Sequence, residues 1–188
     1  MSFGLPNLLS MLRMAIIPFF AIAIFNGHPG QALILFLIAG ITDGLDGFLA
    51  RVMHQTSVLG TYLDPIADKL LLITAYVLLA IPRLSVGAAI PTWVSALVIA
   101  RDVLIMLLAL LFFLAMGISR FLPTVLSKIN TTIQITGIIA VLTAELVPAF
   151  VSTARVLIYL VATFTILSGL DYIYRANKMV GSKGDEET

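Results

Sequence analysis

Long apolar runs, separated by short polar or proline- and glycine-containing segments, dominate the chain as far as about residue 176. Crossing a bilayer as a helix takes roughly 20 residues, and six of the runs reach about that length. Strand-like alternation of apolar and polar positions is absent over these runs, which favours helices over a membrane barrel. The predicted helices cover approximately residues 6–25, 31–53, 60–81, 91–116, 124–146 and 148–176.

The composition agrees with this pattern. Hydrophobic residues make up 60% of the 188 residues and charged residues only 11%, whereas a soluble domain contains about 25% charged residues. We therefore predict an all-α integral membrane protein with six transmembrane helices. One membrane domain is expected over residues 1–176, followed by a polar C-terminal tail over 177–188. Because Arg13 interrupts the first apolar segment, that helix is expected to remain in the protein and not to be a cleaved signal.

The basic residues near the helix ends predict the orientation. With a cytoplasmic N-terminus, six basic residues near the helix ends lie on the cytoplasmic side of the membrane. Only Arg83 and Arg155 lie on the outer side. Both termini are therefore predicted to be cytoplasmic. The six residues on the inner side are Arg51, Arg120, Lys128, Arg175, Lys178 and Lys183.

Charge and cysteine content exclude several classes of function. The formal net charge is only +1, so we expect no nucleic-acid partner. The chain contains no cysteine, which excludes disulfides, thiolate metal sites and cysteine nucleophiles.

Four carboxylates stand out inside the second and third predicted helices. Asp43 and Asp46 share one face of the second helix, and Asp64 and Asp68 share one face of the third. Because only a short link joins these helices, the two faces lie near the same membrane surface. The four carboxylates are therefore expected to converge in one pocket.

Converging carboxylates repel one another and are costly to desolvate, so they take up protons or bind cations. Oxygen ligands without His or Cys select hard ions such as Mg²⁺, Mn²⁺ or Ca²⁺. Two divalent cations would balance four carboxylates, and paired metals serve in-line displacement at phosphorus. A cation or proton pathway in a transporter is the alternative interpretation of intramembrane carboxylates.

Small residues lie on the same two faces. Gly47, Ala50 and Gly60 leave the helix backbones open to a bulky ligand, and Arg51 offers a forked donor to a phosphate. Close packing between helices is the alternative explanation for the small residues.

These residues form the complete motif Asp-x2-Asp-Gly-x2-Ala-Arg-x8-Gly-x3-Asp-x3-Asp. The motif is that of the CDP-alcohol phosphatidyltransferases, which the chain also resembles in length, helix number and motif position. The resemblance implies a homodimer in a bacterial inner (cell) membrane, with a pocket that faces the cytoplasm. It further implies transfer of a phosphatidyl group from CDP-diacylglycerol to an alcohol, with release of CMP.

The resemblance also implies roles for individual residues. Two divalent cations, Mg²⁺ or Mn²⁺, would be bound by Asp43, Asp46, Asp64 and Asp68. Asp68 would in addition be the general base that accepts the proton of the acceptor hydroxyl. The residues implied for the CDP-lipid site are Gly47, Ala50, Arg51, Ser57 and Gly60, together with Asn7 and Ser10 on the first helix; Arg13 belongs to the same N-terminal stretch.

The acceptor is predicted from Arg101 and Lys128, which are expected to bind its phosphate. Bacterial phosphatidylglycerolphosphate synthases, which use glycerol 3-phosphate, typically show Arg-Glu followed by a second Arg, and a Lys-x-Lys pair. This chain has Asp102, Ala109 and Asn130 at the corresponding places, so it lacks two of those cations. Fewer cations suit a monoanionic phosphodiester better than a dianionic phosphomonoester. The prediction is therefore phosphatidylglycerol, as in mitochondrial-type cardiolipin synthases. Glycerol 3-phosphate stays the alternative, and a buried Arg–Asp structural pair is the alternative role for Arg101.

Overall fold

The computed structural model describes residues 5–53, 58–84, 89–116 and 124–184. Side chains are described for most of these residues, but not for 5–10, 45–53, 58–66, 109–110, 112–113, 115–116 and 178–184. Within these ranges the chain is all-helical, which confirms the predicted α class. The helices are α1 (Leu5–Phe25), α2 (Pro29–Met53), α3 (Val58–Leu79), α4 (Thr92–Met116), α5 (Val125–Leu146) and α6 (Val151–Gly184), with a 3₁₀ turn at Pro148–Phe150 before α6.

The helix boundaries agree with the sequence prediction to within three residues except at the end of α6, and two of the differences have a local cause. Helix α2 begins at Pro29, two residues before the predicted start, because proline is favoured in the first turn, where its missing N–H is not needed. Helix α6 was predicted to end near Ala176, but it continues to Gly184. No proline interrupts residues 177–184, and a helix that leaves an apolar environment needs no further apolar residues to keep its backbone hydrogen bonds. Residues 185–188 of the predicted tail lie outside the described residues.

A glycine turn reverses the chain between α1 and α2. Gly27 has φ +69°, and its N–H donates to the carbonyl of Ile24. The N–H of His28 donates to the carbonyl of Ala23. These two bonds form a Schellman motif, in which glycine is favoured at the left-handed position.

The turn determines which residues of α1 and α2 lie at the same height. Arg13 precedes the end of α1 by about 18 Å, and Asp43 follows the start of α2 by about 21 Å, at 1.5 Å per residue. Because the chain reverses direction between them, the two side chains are brought to the same end of the helix pair. The turn is therefore one of the local features that build the site.

The helices group into two compact units. The first comprises Met1–Ile90 and Ile138–Ala154, and the second comprises Pro91–Gly137 and Arg155–Thr188. In the first unit α1 packs against both α2 and α3, and the rings of Phe20 and Phe36 lie 6.0 Å apart. In the second unit Val98 and Val161 are among the buried residues. The prediction of a single membrane domain over 1–176 stays a prediction.

Apolar surface agrees with a membrane environment. Among the described residues, Val125–Leu146 and Pro148–Asn177 are long and apolar enough to cross a bilayer, and Met11–Phe25 and Pro29–Gly44 are shorter apolar stretches. Large apolar side chains are exposed on most helices, for example Phe19, Ile41, Leu114, Val125 and Leu170. Water would disfavour such a surface, whereas lipid would not. Six crossings and cytoplasmic termini stay predictions.

Candidate functional site

A buried arginine brings the first and last carboxylates of the motif together. Arg13 of α1 has no exposed surface. Its Nη2 atom lies 2.7 Å from Oδ1 of Asp43 on α2, and its Nη1 atom donates to Oδ1 of Asp68 on α3. Because both nitrogens belong to one rigid guanidinium, the two carboxylates must approach each other closely. The predicted convergence of the α2 and α3 faces is thus observed for Asp43 and Asp68.

Burial differs between the two sides of this cluster. The Arg13 side chain is 1% exposed, whereas those of Asp43 and Asp68 are 45% and 41% exposed. The guanidinium therefore lies on the inner side of the carboxylates, whose outer sides remain accessible. A cation or a substrate group can reach the carboxylates without crossing the helix packing.

The residues next to the two aspartates leave their carboxylates accessible. Ala67 is fully buried, whereas the side chain of the adjacent Asp68 is 41% exposed. Thr42 donates its hydroxyl to the carbonyls of Ile38 and Ala39, each at 2.9 Å, which satisfies that hydroxyl within its own helix. Thr42 therefore does not compete for the Asp43 carboxylate.

The remaining motif residues lie on the expected helices. Asp46, Gly47, Ala50 and Arg51 belong to α2, and Gly60 and Asp64 belong to α3. Their side chains are outside the described set, as are those of Asn7 and Ser10 on α1, and Ser57 lies outside the described residues. Among the side chains that are described, no group of three or more His, Cys, Asp or Glu could hold a metal ion. The metal and CDP-lipid roles of these residues stay predictions.

A second polar cluster lies in the other compact unit, around Arg101 of α4. Its Nη1 atom lies 2.7 Å from Oδ1 of Asp102, and both side chains are only 4% exposed. Its Nη2 atom donates to the hydroxyls of Ser127 on α5 and Ser168 on α6, each at 2.6 Å. The guanidinium also lies over the ring of Tyr172, 5.8 Å from its centroid. Arg101 therefore connects three helices of this unit.

Asn130 lies in the same unit and has one unsatisfied group. It is fully buried, and its Oδ1 atom accepts a hydrogen bond of 3.1 Å from the hydroxyl of Thr165. Its Nδ2 atom is buried with no hydrogen-bond partner. An orphaned buried amide is costly, and such groups are often found where a ligand or water binds. Lys128, two residues earlier on α5, is exposed.

Sequence reasoning missed Thr165, Ser168 and Tyr172 as members of this cluster. Their spacing of i, i+3 and i+7 places them on one face of α6, which is the signal that could have identified them. Arg101 was predicted to bind the acceptor phosphate, with a buried Arg–Asp pair as the alternative. The pair is present, and the acceptor role stays a prediction.

Comparison with known proteins decides the family. A family model described as CDP-alcohol phosphatidyltransferase matches residues 3–167, which is most of the chain. The chain belongs to this family. Membership confirms the resemblance inferred from the eight-position motif and makes the chain one of the membrane-bound transferases of phospholipid biosynthesis.

Similar relatives have two different names. The CDP-diacylglycerol--glycerol-3-phosphate 3-phosphatidyltransferase of Pectobacterium atrosepticum is 33% identical over 180 residues, covering 94% of this chain and 96% of that protein. The enzyme of the same name from Haemophilus influenzae is 38% identical over 108 residues, covering 56% and 57%. The human cardiolipin synthase (CMP-forming) is 35% identical over 158 residues, covering 74% and 50%. The chain thus spans about half the length of the latter two relatives.

The Arg101–Asp102 pair yields a stability prediction. Arg101→Met leaves the Asp102 carboxylate buried without its cation, which costs about 3–5 kcal/mol. The added substitution Asp102→Asn removes that charge and is expected to recover a large part of the loss. The measurement is the free energy of unfolding of the purified protein in detergent.

Arg175→Met is the matched control for this prediction. Arg175 is 54% exposed and pairs with Asp171 one turn earlier on α6, and an exposed pair of this kind contributes little. An Arg101→Met variant as stable as the wild type would contradict the interpretation that the buried pair holds this unit together.

Proposed function

We propose that the chain transfers a phosphatidyl group from CDP-diacylglycerol to a glycerol-type acceptor, and that this acceptor is phosphatidylglycerol. Family membership supports the reaction class. The observation that carries the proposal is the meeting of Asp43 and Asp68 at one guanidinium, because it brings together carboxylates from the two helices of the motif. The reaction is expected at the cytoplasmic face of a bacterial inner membrane, in a homodimer.

The donor set fits divalent metal ions. The Oδ1 atoms of Asp43 and Asp68 already share one cation, the Arg13 guanidinium, and both carboxylates are accessible from outside. Asp46 and Asp64 of the motif would complete an all-oxygen set, which is typical of Mg²⁺ or Mn²⁺ sites. When bound, two such ions would neutralise charge on the diphosphate and polarise its phosphorus.

The residues of the chain would perform the remaining steps. Asp68 would accept the proton of the acceptor hydroxyl, whose oxygen then attacks the phosphorus that bears diacylglycerol. The new phosphorus–oxygen bond forms as the bond to CMP breaks, and CMP leaves with the electron pair. Arg51 would bind a phosphate of the CDP-lipid. The other residues proposed for that ligand are Gly47, Ala50, Ser57, Gly60, Asn7 and Ser10.

The charge state of the second cluster supports phosphatidylglycerol as the acceptor. Arg101 is neutralised by Asp102 and already donates to Ser127 and Ser168. Asn130 adds a neutral amide whose Nδ2 atom has no partner. With Lys128, this cluster offers about one uncompensated positive charge, which suits a phosphodiester monoanion better than a phosphomonoester dianion.

Glycerol 3-phosphate is the second candidate acceptor. It is supported by the relative from Pectobacterium atrosepticum, whose name specifies that acceptor and which matches over nearly the full length of both chains. The relatives named as cardiolipin synthases match a smaller share of their own length. The transporter alternative, which uses the same carboxylates, predicts transport in sealed vesicles. It predicts no release of CMP by the protein in detergent.

An acceptor assay tests the proposal. Purified protein in detergent receives CDP-diacylglycerol and Mg²⁺ with phosphatidylglycerol, with glycerol 3-phosphate, or with no acceptor. We expect CMP release and a product of cardiolipin mass in the first reaction only. A product of phosphatidylglycerolphosphate mass in the second reaction would establish the other candidate. Absence of CMP release in both would reject the transferase proposal.

The proposed base is tested by Asp68→Asn. An amide cannot accept the hydroxyl proton, so CMP release is expected to fall by about 10²- to 10⁴-fold, while binding of CDP-diacylglycerol is retained in part. Asp171→Asn is the control, since Asp171 lies on α6 and pairs with Arg175. Near-normal CMP release by the Asp68 variant would remove its role as base.

A further inference from the structure

Arg13 occupies the position at which a cation meets Asp43 and Asp68. Two of its contacts use the Oδ1 atoms of these carboxylates. The arginine is fully buried and held within the packing of α1 against α2 and α3. A buried guanidinium requires anionic partners, because an uncompensated charge among apolar helices is costly.

A divalent ion at this site would meet two opposing effects from Arg13. If it binds through the Oδ1 atoms, it must share them with the guanidinium or displace it, because these oxygens already accept from Arg13. It would also be repelled by the positive charge a few ångströms away, at the partly screened strength of a half-exposed site. Both effects make the contacts of Arg13 stronger in the metal-free chain than in the metal-bound chain.

We propose that Arg13 is a positioning residue that serves as a built-in counter-cation. It holds Asp43 and Asp68 together in the metal-free chain and yields these carboxylates to divalent ions, so that its contacts and metal binding oppose each other. The inference rests on the proposed function only in taking the motif aspartates as metal ligands. It differs from a simple structural tether, whose loss would weaken metal binding.

Linkage determines the sign of the effect. An interaction that stabilises the metal-free state more than the metal-bound state lowers metal affinity, and its removal raises that affinity by the same factor. Without Arg13 the two carboxylates would lose the cation that they share until a metal ion binds. The variant is therefore expected to be less stable without metal and to gain more stability when metal is added.

The test compares Arg13→Gln with the wild-type full chain in detergent. Mn²⁺ binding is measured by the electron paramagnetic resonance signal of the free ion, and the unfolding temperature is measured in EDTA and in Mn²⁺. We expect the Kd for Mn²⁺ to fall about tenfold, a factor consistent with loss of one nearby positive charge at a partly exposed site. The unfolding temperature in EDTA is expected to fall, and its increase on addition of Mn²⁺ is expected to exceed that of the wild type.

Arg155→Gln is the matched control, because Arg155 is exposed and lies at the start of α6. Its Kd and unfolding temperatures are expected to equal those of the wild type. Arg13→Lys keeps the charge but has one ammonium in place of a fork, so its Kd is expected to lie between those of the wild type and Arg13→Gln. This variant decides the question if Arg13→Gln does not fold.

A Kd for Mn²⁺ that is unchanged or raised in the folded Arg13 variants would overturn the proposal. That result is expected if Arg13 only holds the aspartates in place and does not compete with the metal ion. A wild-type chain that binds no Mn²⁺ would overturn it as well. CMP release in the acceptor assay would still establish the transferase in either case, so the two proposals fail separately.

Discussion

The site depends on one buried charge. The charge of Arg13 is costly to bury among apolar helices without anions, and the anions that it contacts belong to two other helices. The guanidinium therefore ties α1 to the motif-bearing ends of α2 and α3. The glycine turn at Gly27 places Arg13 and Asp43 at the same end of their helices. Local turn geometry and long-range ion pairing thus act together.

The second polar cluster also contains a buried arginine that needs an anion, but there the anion is buried as well. Arg101 is paired with its neighbour Asp102 and is hydrogen-bonded to two serines, so its charge is compensated within its own unit. The carboxylates that Arg13 contacts are half-exposed, whereas Asp102 is buried with its arginine. Accessible carboxylates can accept a further cation, and a buried neutral pair cannot. The exposed carboxylates are the ones for which we propose a metal-binding role.

Much of the architecture follows from sequence pattern alone. Six apolar runs predicted six helices, because a run of that length has no other way to satisfy its backbone in lipid. The spacing of Asp43, Asp46, Asp64 and Asp68 predicted two carboxylate faces, and the ion pairs of Asp43 and Asp68 agree with it. The motif spacing was specific enough to indicate the family that the comparison then confirmed.

Other features could not be predicted, for physical reasons. The partners of Arg13 depend on the packing of three helices, which no local pattern encodes. Ser168 and Thr165 resemble ordinary helix residues until the contacts of Arg101 and Asn130 are known. Helix α6 continues past Ala176 because a polar segment can remain helical without an apolar face. The sequence does not distinguish between the two candidate acceptors, because relatives named as glycerol-3-phosphate 3-phosphatidyltransferase and as cardiolipin synthase are both similar to this chain.

The most direct test of the account measures the proximity of residues 43 and 68. The chain contains no cysteine, so Asp43→Cys and Asp68→Cys can be combined in one variant and treated with a short bifunctional thiol reagent. Mass spectrometry is expected to show one reagent bridging both thiols. A control variant that combines Ile41→Cys, at an exposed position of α2, with Asp68→Cys is expected to take up two separate reagents. Two separate reagents on the variant with cysteines at 43 and 68 would contradict the convergence of α2 and α3.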